Sequence, residues 1–218
     1  MAIMPLRDLR PQLGTARNQG SRPTCIAFAF SDGHAGTRAT REPLSVEHLF
    51  FNAVQRTPER NPDAGVNMPT CSAALALDGQ CVEVGWAYTD PMVAPTSWQP
   101  PATATPSFCR SSDTSSASLA AITAELDAER PAVIALLLGE RFYAPDSLGR
   151  ITPGQDDNDT DYHAVLAVGH GLDGSESFLL VRNSWGGEWG LDGHSWVSAA
   201  YLAPRLYAVA RFPPLETV

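Results

Sequence analysis

The stretch Asn18-Gln19-Gly20-Ser21-Arg22-Pro23-Thr24-Cys25-Ile26-Ala27-Phe28-Ala29-Phe30 is a polar, turn-forming loop that ends in a cysteine, and the cysteine opens an apolar run. Gly20 and Pro23 punctuate the backbone, and Thr24 is a suitable N-cap for a helix starting at Cys25. A thiol in the first turn of a helix lies at the positive end of the dipole, which favours thiolate and makes the sulfur a better nucleophile. By itself such a cysteine reads first as a buried core thiol. The rest of the chain decides between the two.

Downstream, Cys25 to about Arg38 is apolar on nearly every side, the pattern of a helix buried through the middle of a molecule. Ser45 caps a second helix with Val46, Leu49, Phe50 and Val54 on one face. A loop rich in Pro, Asn, Asp and Gly covers 56–69, and a short helix follows from about Thr70 to Leu77. The proline-rich run 91–106 is an extended crossing, with Trp98 and Phe108 positioned to pack. Ser118 caps a helix through Leu119, Ile122 and Leu126 that ends by Pro131. Strand-like runs then occupy Ala132–Leu138, Ala164–Val168, Phe178–Arg182, His194–Val197 and Leu206–Phe212, as expected of an antiparallel sheet or barrel. A helical half followed by a β half describes an α+β fold with two lobes.

Composition narrows the function. The 218 residues carry a net charge of −9, which leaves no basic face for a phosphate backbone and excludes a nucleic-acid partner. All 15 basic residues are arginine, so a P-loop lysine and a lysine Schiff base are excluded too. The longest apolar run, Ala132–Leu138, is too short to span a bilayer, and residues 1–10 lack the apolar core of a signal peptide. No membrane contact and a cytoplasmic location, or export without a cleaved signal, are therefore expected. Cys25, Cys71, Cys81 and Cys109 are too scattered for a disulfide framework and show no zinc spacing, so reduced thiols and no metal or other cofactor are expected.

A nucleophilic cysteine needs a base, and the base needs an orienting group. His34 and His48 sit on helical faces and read as packing or surface residues. His170 and His194 lie at strand ends with no acid or amide arrangement nearby. His163 opens the apolar strand His163-Ala164-Val165-Leu166-Ala167-Val168-Gly169, where a polar ring at the first position can face a cleft. Asn183 belongs to Arg182-Asn183-Ser184-Trp185-Gly186-Gly187-Glu188-Trp189-Gly190, a segment too rich in tryptophan and glycine to be simple loop filler. An amide accepting from one imidazole nitrogen sets the tautomer and leaves the other nitrogen for sulfur.

These three segments together resemble the signatures of the papain-like cysteine peptidases. Gln19-Gly20-Ser21 with Cys25-x-Ala27-Phe28 is similar to the family's glutamine and nucleophile segment, the glutamine six residues ahead of the cysteine. His163-Ala164-Val165 followed by Val168-Gly169-His170-Gly171 resembles the histidine signature, and Asn183 to Gly190 the asparagine signature. His163 follows Cys25 by 138 positions, inside the roughly 130–150 of this family.

The resemblance implies a single catalytic domain over 1–218, with a helical lobe at about 12–108 and a β-barrel-like lobe from 1–11 and 109–218, the active site in the cleft between them. It implies Cys25 as nucleophile, held as thiolate by the His163 imidazolium, His163 as base and acid, Asn183 as its orienting group, and Gln19 as oxyanion donor. Trp185 would screen the pair, and Gly65, Val66, Ala164 and Trp185 would contact substrate. Hydrolysis of peptide or isopeptide bonds in a specific polypeptide substrate follows, with an activating or regulatory protein as a further partner. The alternatives are a transferase or deamidase of the same acyl-enzyme chemistry, or a silent binding module.

The departures carry expectations of their own. The family's cysteine three positions before the nucleophile is Arg22 here, so its usual disulfide is absent, as suits a reducing compartment. The tryptophan after the nucleophile is Ile26, and of the substrate-backbone glycines only Gly65 keeps its type, in Gly65-Val66-Asn67. Leu6–Gln12 resembles the first strand of a mature enzyme, so no long inhibitory propeptide is expected. The acidic run Asp156-Asp157-Asn158-Asp159-Thr160-Asp161 leads up to His163. It lacks the glycine and distal glutamate of a calcium loop, and it suggests a preference for basic substrate residues near the primed side.

Overall fold

The computed structural model describes residues 3–38, 41–92, 97–154 and 158–214. Six helices occupy Cys25–Gly36 (α1), Val46–Gln55 (α2), Met68–Leu77 (α3), Leu119–Asp127 (α4), Glu140–Tyr143 (α5) and Ala199–Leu202 (α6). Eight strands occupy Met4–Asp8 (β1), Asp113–Ser116 (β2), Ala132–Gly139 (β3), Arg150–Ile151 (β4), Asp159–Asp173 (β5), Glu176–Arg182 (β6), His194–Ser198 (β7) and Leu206–Arg211 (β8). This is an α+β fold in which α1–α3 precede nearly all of the sheet. Among the described residues, no helix is long and apolar enough to cross a membrane.

The all-round apolarity of α1 has a structural cause. Ala29 and Phe30 join the main core under the sheet, while Ala27 and Phe28 join a second core with Val46, Phe50, Phe51, Val54 and Trp98. One helix thus serves two cores and has no solvent face, the case in which a helix carries no polar stripe. It packs on β5 and against α2 and α3. Gly33 makes the approach to the sheet possible. A Cβ there would lie 2.5 Å from the Phe212 ring, which also meets Phe30 edge-on.

Strands run in the order β2-β8-β3-β5-β6-β7-β4, with β1 pairing on β5. The sheet does not close, so the barrel-like expectation is corrected to an open sheet. Nor is it wholly antiparallel, because β4 pairs parallel to β7. β5 is the spine: β3 and β1 pair with it on one side and β6 on the other. β1 ends at Asp8, and Pro11 turns Arg10–Gln12 into a 3-10 turn where a longer strand was expected. β2, Asp-Thr-Ser-Ser, was not anticipated. Its residues favour turns, and it forms because β8 offers an unpaired edge.

The starts of α2, α3, α4 and α6 follow side-chain caps. Ser45 accepts from the His48 N–H at 3.0 Å, and Ser118 from the Ala121 N–H at 3.3 Å. α3 begins two residues earlier than expected, because Asn67 accepts from the Thr70 N–H at 2.9 Å. In the proline-rich crossing, residues 93–96 lie outside the described residues. Its anchor is Trp98, 4% exposed, whose indole N–H donates to Glu47.

Candidate active site

Cys25 is the first residue of α1 and is half-buried. Thr24 occupies the N-cap position, but its side chain caps nothing. Its hydroxyl lies 2.8 Å from that of Tyr88, so the cap expected from the sequence is corrected to a tether of the loop. His163 lies within β5, opposite Leu136 of β3, and is 6% exposed. Asn183 follows β6 directly, and its backbone N–H donates to the Gly193 carbonyl at 2.9 Å.

His163 Nε2 and Asn183 Oδ1 are 2.7 Å apart. The same oxygen accepts from the Ser184 backbone N–H at 2.8 Å. A main-chain N–H can only donate, so this atom of Asn183 is the acceptor and His163 Nε2 carries the proton. Nδ1 is left with its lone pair. Trp185 covers the bond, its ring 4.8 Å from the imidazole. Behind it stand two residues that no sequence signal pointed to. Tyr143 stacks on Trp185 at 5.4 Å, and Phe142 meets His163, Trp185 and Trp189. Both belong to α5, one turn long, whose four residues carry no periodicity to read.

Gln19 is held at both ends of its amide. Oε1 accepts from the Ser184 hydroxyl at 2.6 Å, and Nε2 donates to the Arg22 carbonyl at 2.8 Å. One Nε2 hydrogen remains free. Backbone bonds join the same segments, with Gln19 N–H donating to the Ser184 carbonyl and Asn18 bridging to Trp185. The glutamine, cysteine, histidine and asparagine segments therefore converge at one place.

The four other candidates take different positions. The Ala164 N–H lies against the Cys25 sulfur and favours its anion. Gly65 adopts a φ of +70° beside the loop, where a Cβ would lie 3.1 Å from the Pro23 carbonyl oxygen. Val66 packs against both cores. Trp185 sits as described.

Burial works against the expected charges of the pair. It is the largest influence on Cys25 and pushes its thiol above the usual range, against the Ala164, Ile26 and Cys25 N–H groups that favour the anion, and the Asp161 carboxylate adds to the rise. Burial also pulls His163 down to about 4, against an opposing contribution from its bond to Asn183. Taken singly, each group is thus biased toward its uncharged form.

Arg22 stands where the resembling family has a cysteine, and it forms a buried ion pair instead. Nη1 and Nη2 donate to Glu47 at 2.7 and 2.9 Å, with the residues 6% and 1% exposed. Nη1 also reaches the Thr89 carbonyl at 2.6 Å, and the guanidinium lies over the Tyr88 ring. The Tyr88 hydroxyl in turn donates to the Gln19 carbonyl at 2.8 Å. All four cysteines are free thiols.

The remaining histidines are placed as follows. His34 and His48 are buried packing residues bonded to Gln80 and to the Cys81 N–H. His170 does have an acid beside it, Asp127 at 2.8 Å, which α4 brings from 43 residues away. Asp156 and Asp157 lie outside the described residues, and Asp159 pairs with Arg205.

Residues 92–202 match the family model described as papain family cysteine protease. The chain belongs to the papain family of cysteine proteases. The matched span holds His163 and Asn183; Gln19 and Cys25 precede it. Xylellain, a cysteine protease from Xylella fastidiosa, superposes with a TM-score of 0.76 at 22% identity, over 99% of this chain and 88% of that one. Procathepsin L 3 of Tenebrio molitor larval midgut superposes at 0.72 with 18% identity, over 94% and 68%. The papain-family likeness in sequence is local. The thiol protease aleurain-like of Arabidopsis thaliana is 44% identical over 54 residues, 25% of this chain and 15% of that protein. Rattus norvegicus procathepsin L is 35% identical over 82 residues, 36% and 22% respectively. The matched part spans less than a quarter of either relative's length.

Proposed function

We propose that the chain hydrolyses peptide bonds through a thioester acyl-enzyme, with Cys25 as nucleophile, His163 as base and acid, Asn183 as its orienting group and Gln19 as oxyanion donor. The observation that carries this is the His163–Asn183 bond of 2.7 Å, which leaves Nδ1 as the proton acceptor in a site that also holds Cys25 and Gln19.

The cycle starts from a neutral thiol and a neutral imidazole. As Cys25 Sγ bonds to the substrate carbonyl carbon, its proton passes to His163 Nδ1. The imidazolium that forms is held by Asn183 Oδ1 and shielded by Trp185. The carbonyl oxygen becomes an anion and accepts from the free Gln19 Nε2 hydrogen and the Cys25 backbone N–H. The amine departs with the Nδ1 proton, and water activated by His163 then releases the acid. Val66, Gly65, Ala164 and Trp185 border the path of the polypeptide. Asp161, exposed and near enough to bias both Cys25 and His163, supports a preference for basic substrate residues beside the reacting pair.

An epoxide or vinyl-sulfone thiol probe tests the assignment. Intact-mass spectrometry with peptide mapping should show an adduct on Cys25 that is lost in Cys25→Ala, and a peptide library should be cleaved by the unlabelled chain alone. Failure to label under reducing conditions would overturn the proposal. Labelling without cleavage of any peptide would replace it with transfer or deamidation. Asp161→Asn should slow cleavage of arginine- or lysine-containing peptides more than that of neutral ones.

A further inference from the structure

At the opposite end of α1 from Cys25, a cavity of about 340 Å³ is lined by His34, Thr37, Arg38, Phe108, Cys109 and Arg110. The twelve residues of α1 place it about 18 Å from the catalytic cysteine. Cys109 is a free, exposed thiol, whereas Cys71 and Cys81 are buried.

The charges around Cys109 are unusual for this acidic chain. Arg110 is only 7% exposed, its Nη2 donates to the Pro213 carbonyl, and its Nε has no partner. Arg38 lies over the Phe108 ring, 3.7 Å from its centroid. Among the described residues no carboxylate pairs with either guanidinium, although Arg17, Arg22, Arg150, Arg182 and Arg205 all have one. His34 is pulled down to about 3 by burial and adds no charge. The carbonyl end of α1 offsets about half of one positive charge, so the cavity stays cationic. A buried arginine without a counterion is costly, and an anion entering the cavity relieves that cost.

We propose that this cavity is a modification site for a small disulfide carrying carboxylates, held by Arg38 and Arg110 while Cys109 takes one half of it as a mixed disulfide. The Cys109 proton goes to solvent, and Sγ attacks one sulfur of the bound disulfide. A new S–S bond forms, the old one breaks, and its electron pair leaves on the second sulfur as a thiolate. Cys109 is oxidised and the departing half is reduced, so no other oxidant enters.

The test follows Cys109 by intact mass in the full chain carrying Cys25→Ala, which removes the competing thiol of the cleft. Oxidised glutathione, neutral hydroxyethyl disulfide and cationic cystamine are compared, each rate divided by that of a small reference thiol. Oxidised glutathione should be favoured at least ~10-fold over the neutral reagent, with the preference fading as salt rises. Arg38→Gln and Arg110→Gln should each erode the preference while leaving the neutral reagent's rate unchanged. Equal normalised rates for the three reagents, or a preference that survives Arg38→Gln, would overturn the proposal. Arg38 is half-buried at a helix end, so its variant decides the question even if Arg110→Gln does not fold.

Discussion

Gln19 and Arg22 show how much of the site rests on single side chains. Gln19 presents one free amide hydrogen because its oxygen and its other hydrogen are tied to Ser184 and Arg22. In the proposed mechanism that hydrogen serves the developing oxyanion, so Gln19→Ala should lower kcat by about 10²–10³-fold with little change in KM, read from steady-state kinetics. Arg22 and Glu47 support that loop from below, fully desolvated. Glu47→Gln leaves a buried guanidinium short of its counterion and should cost about 3–5 kcal/mol in urea unfolding, whereas replacing both partners with apolar residues should cost far less. The meeting of these residues was legible: glutamine, cysteine, histidine and asparagine stand in segments that the family resemblance singled out, and the fold brings those segments together. The partner of Arg22 was not legible, because Glu47 lies 25 residues away and nothing in the intervening pattern ties the two together.

Among the elements, α1 bears the most. It starts at Cys25, the proposed nucleophile, fills two cores and ends at the cavity around Cys109. It approaches the sheet closely at Gly33, and Gly33→Ala should destabilise the fold by about 1–3 kcal/mol by forcing the Phe212 ring aside. Pairing it with Phe212→Leu should give less than the sum of the two single losses, as a double-mutant cycle would register. The helix itself was readable from its apolar run, and β3, β5, β6, β7 and β8 from theirs. β2 and α5 were not, since their residues carry weak local preference and take their form from β8 and from the aromatic group around Trp185. Those short elements matter to the site. Phe142 and Tyr143 arrive on one of them.

For the whole molecule, burial of neutral histidines sets the response to acid. His163 and His194 are pulled down to about 4 and His34 to about 3, against an ordinary value of 6.5. Between those values the unfolded chain binds protons that the folded chain refuses. Stability is therefore full above about pH 6.5 and falls as the pH drops toward 4, each histidine contributing up to about 1.4 kcal/mol per pH unit. Urea midpoints measured from pH 7 to pH 4 should fall throughout this range, and His194→Gln should flatten the slope. Activity has its own profile. With His163 neutral down to about 4 and the Cys25 thiol raised, kcat/KM should hold a plateau across neutral pH and fall on the acid side near 4. An acid limb near the ordinary 6.5 would contradict a buried, neutral imidazole.

By itself the sequence determined the α+β order, the principal helices and strands, and the four residues on which catalysis is proposed to rest. Such features are local: a cap, a period or a motif is written within a few neighbouring positions. Tertiary structure alone decided that the sheet stays open, that Arg22 pairs with Glu47 under the Gln19 loop, and that burial biases Cys25 and His163 toward their uncharged forms. It alone brought Cys109, Arg38 and Arg110 around one cavity. Burial and counterions depend on which distant segments meet, and no single stretch of the chain records that.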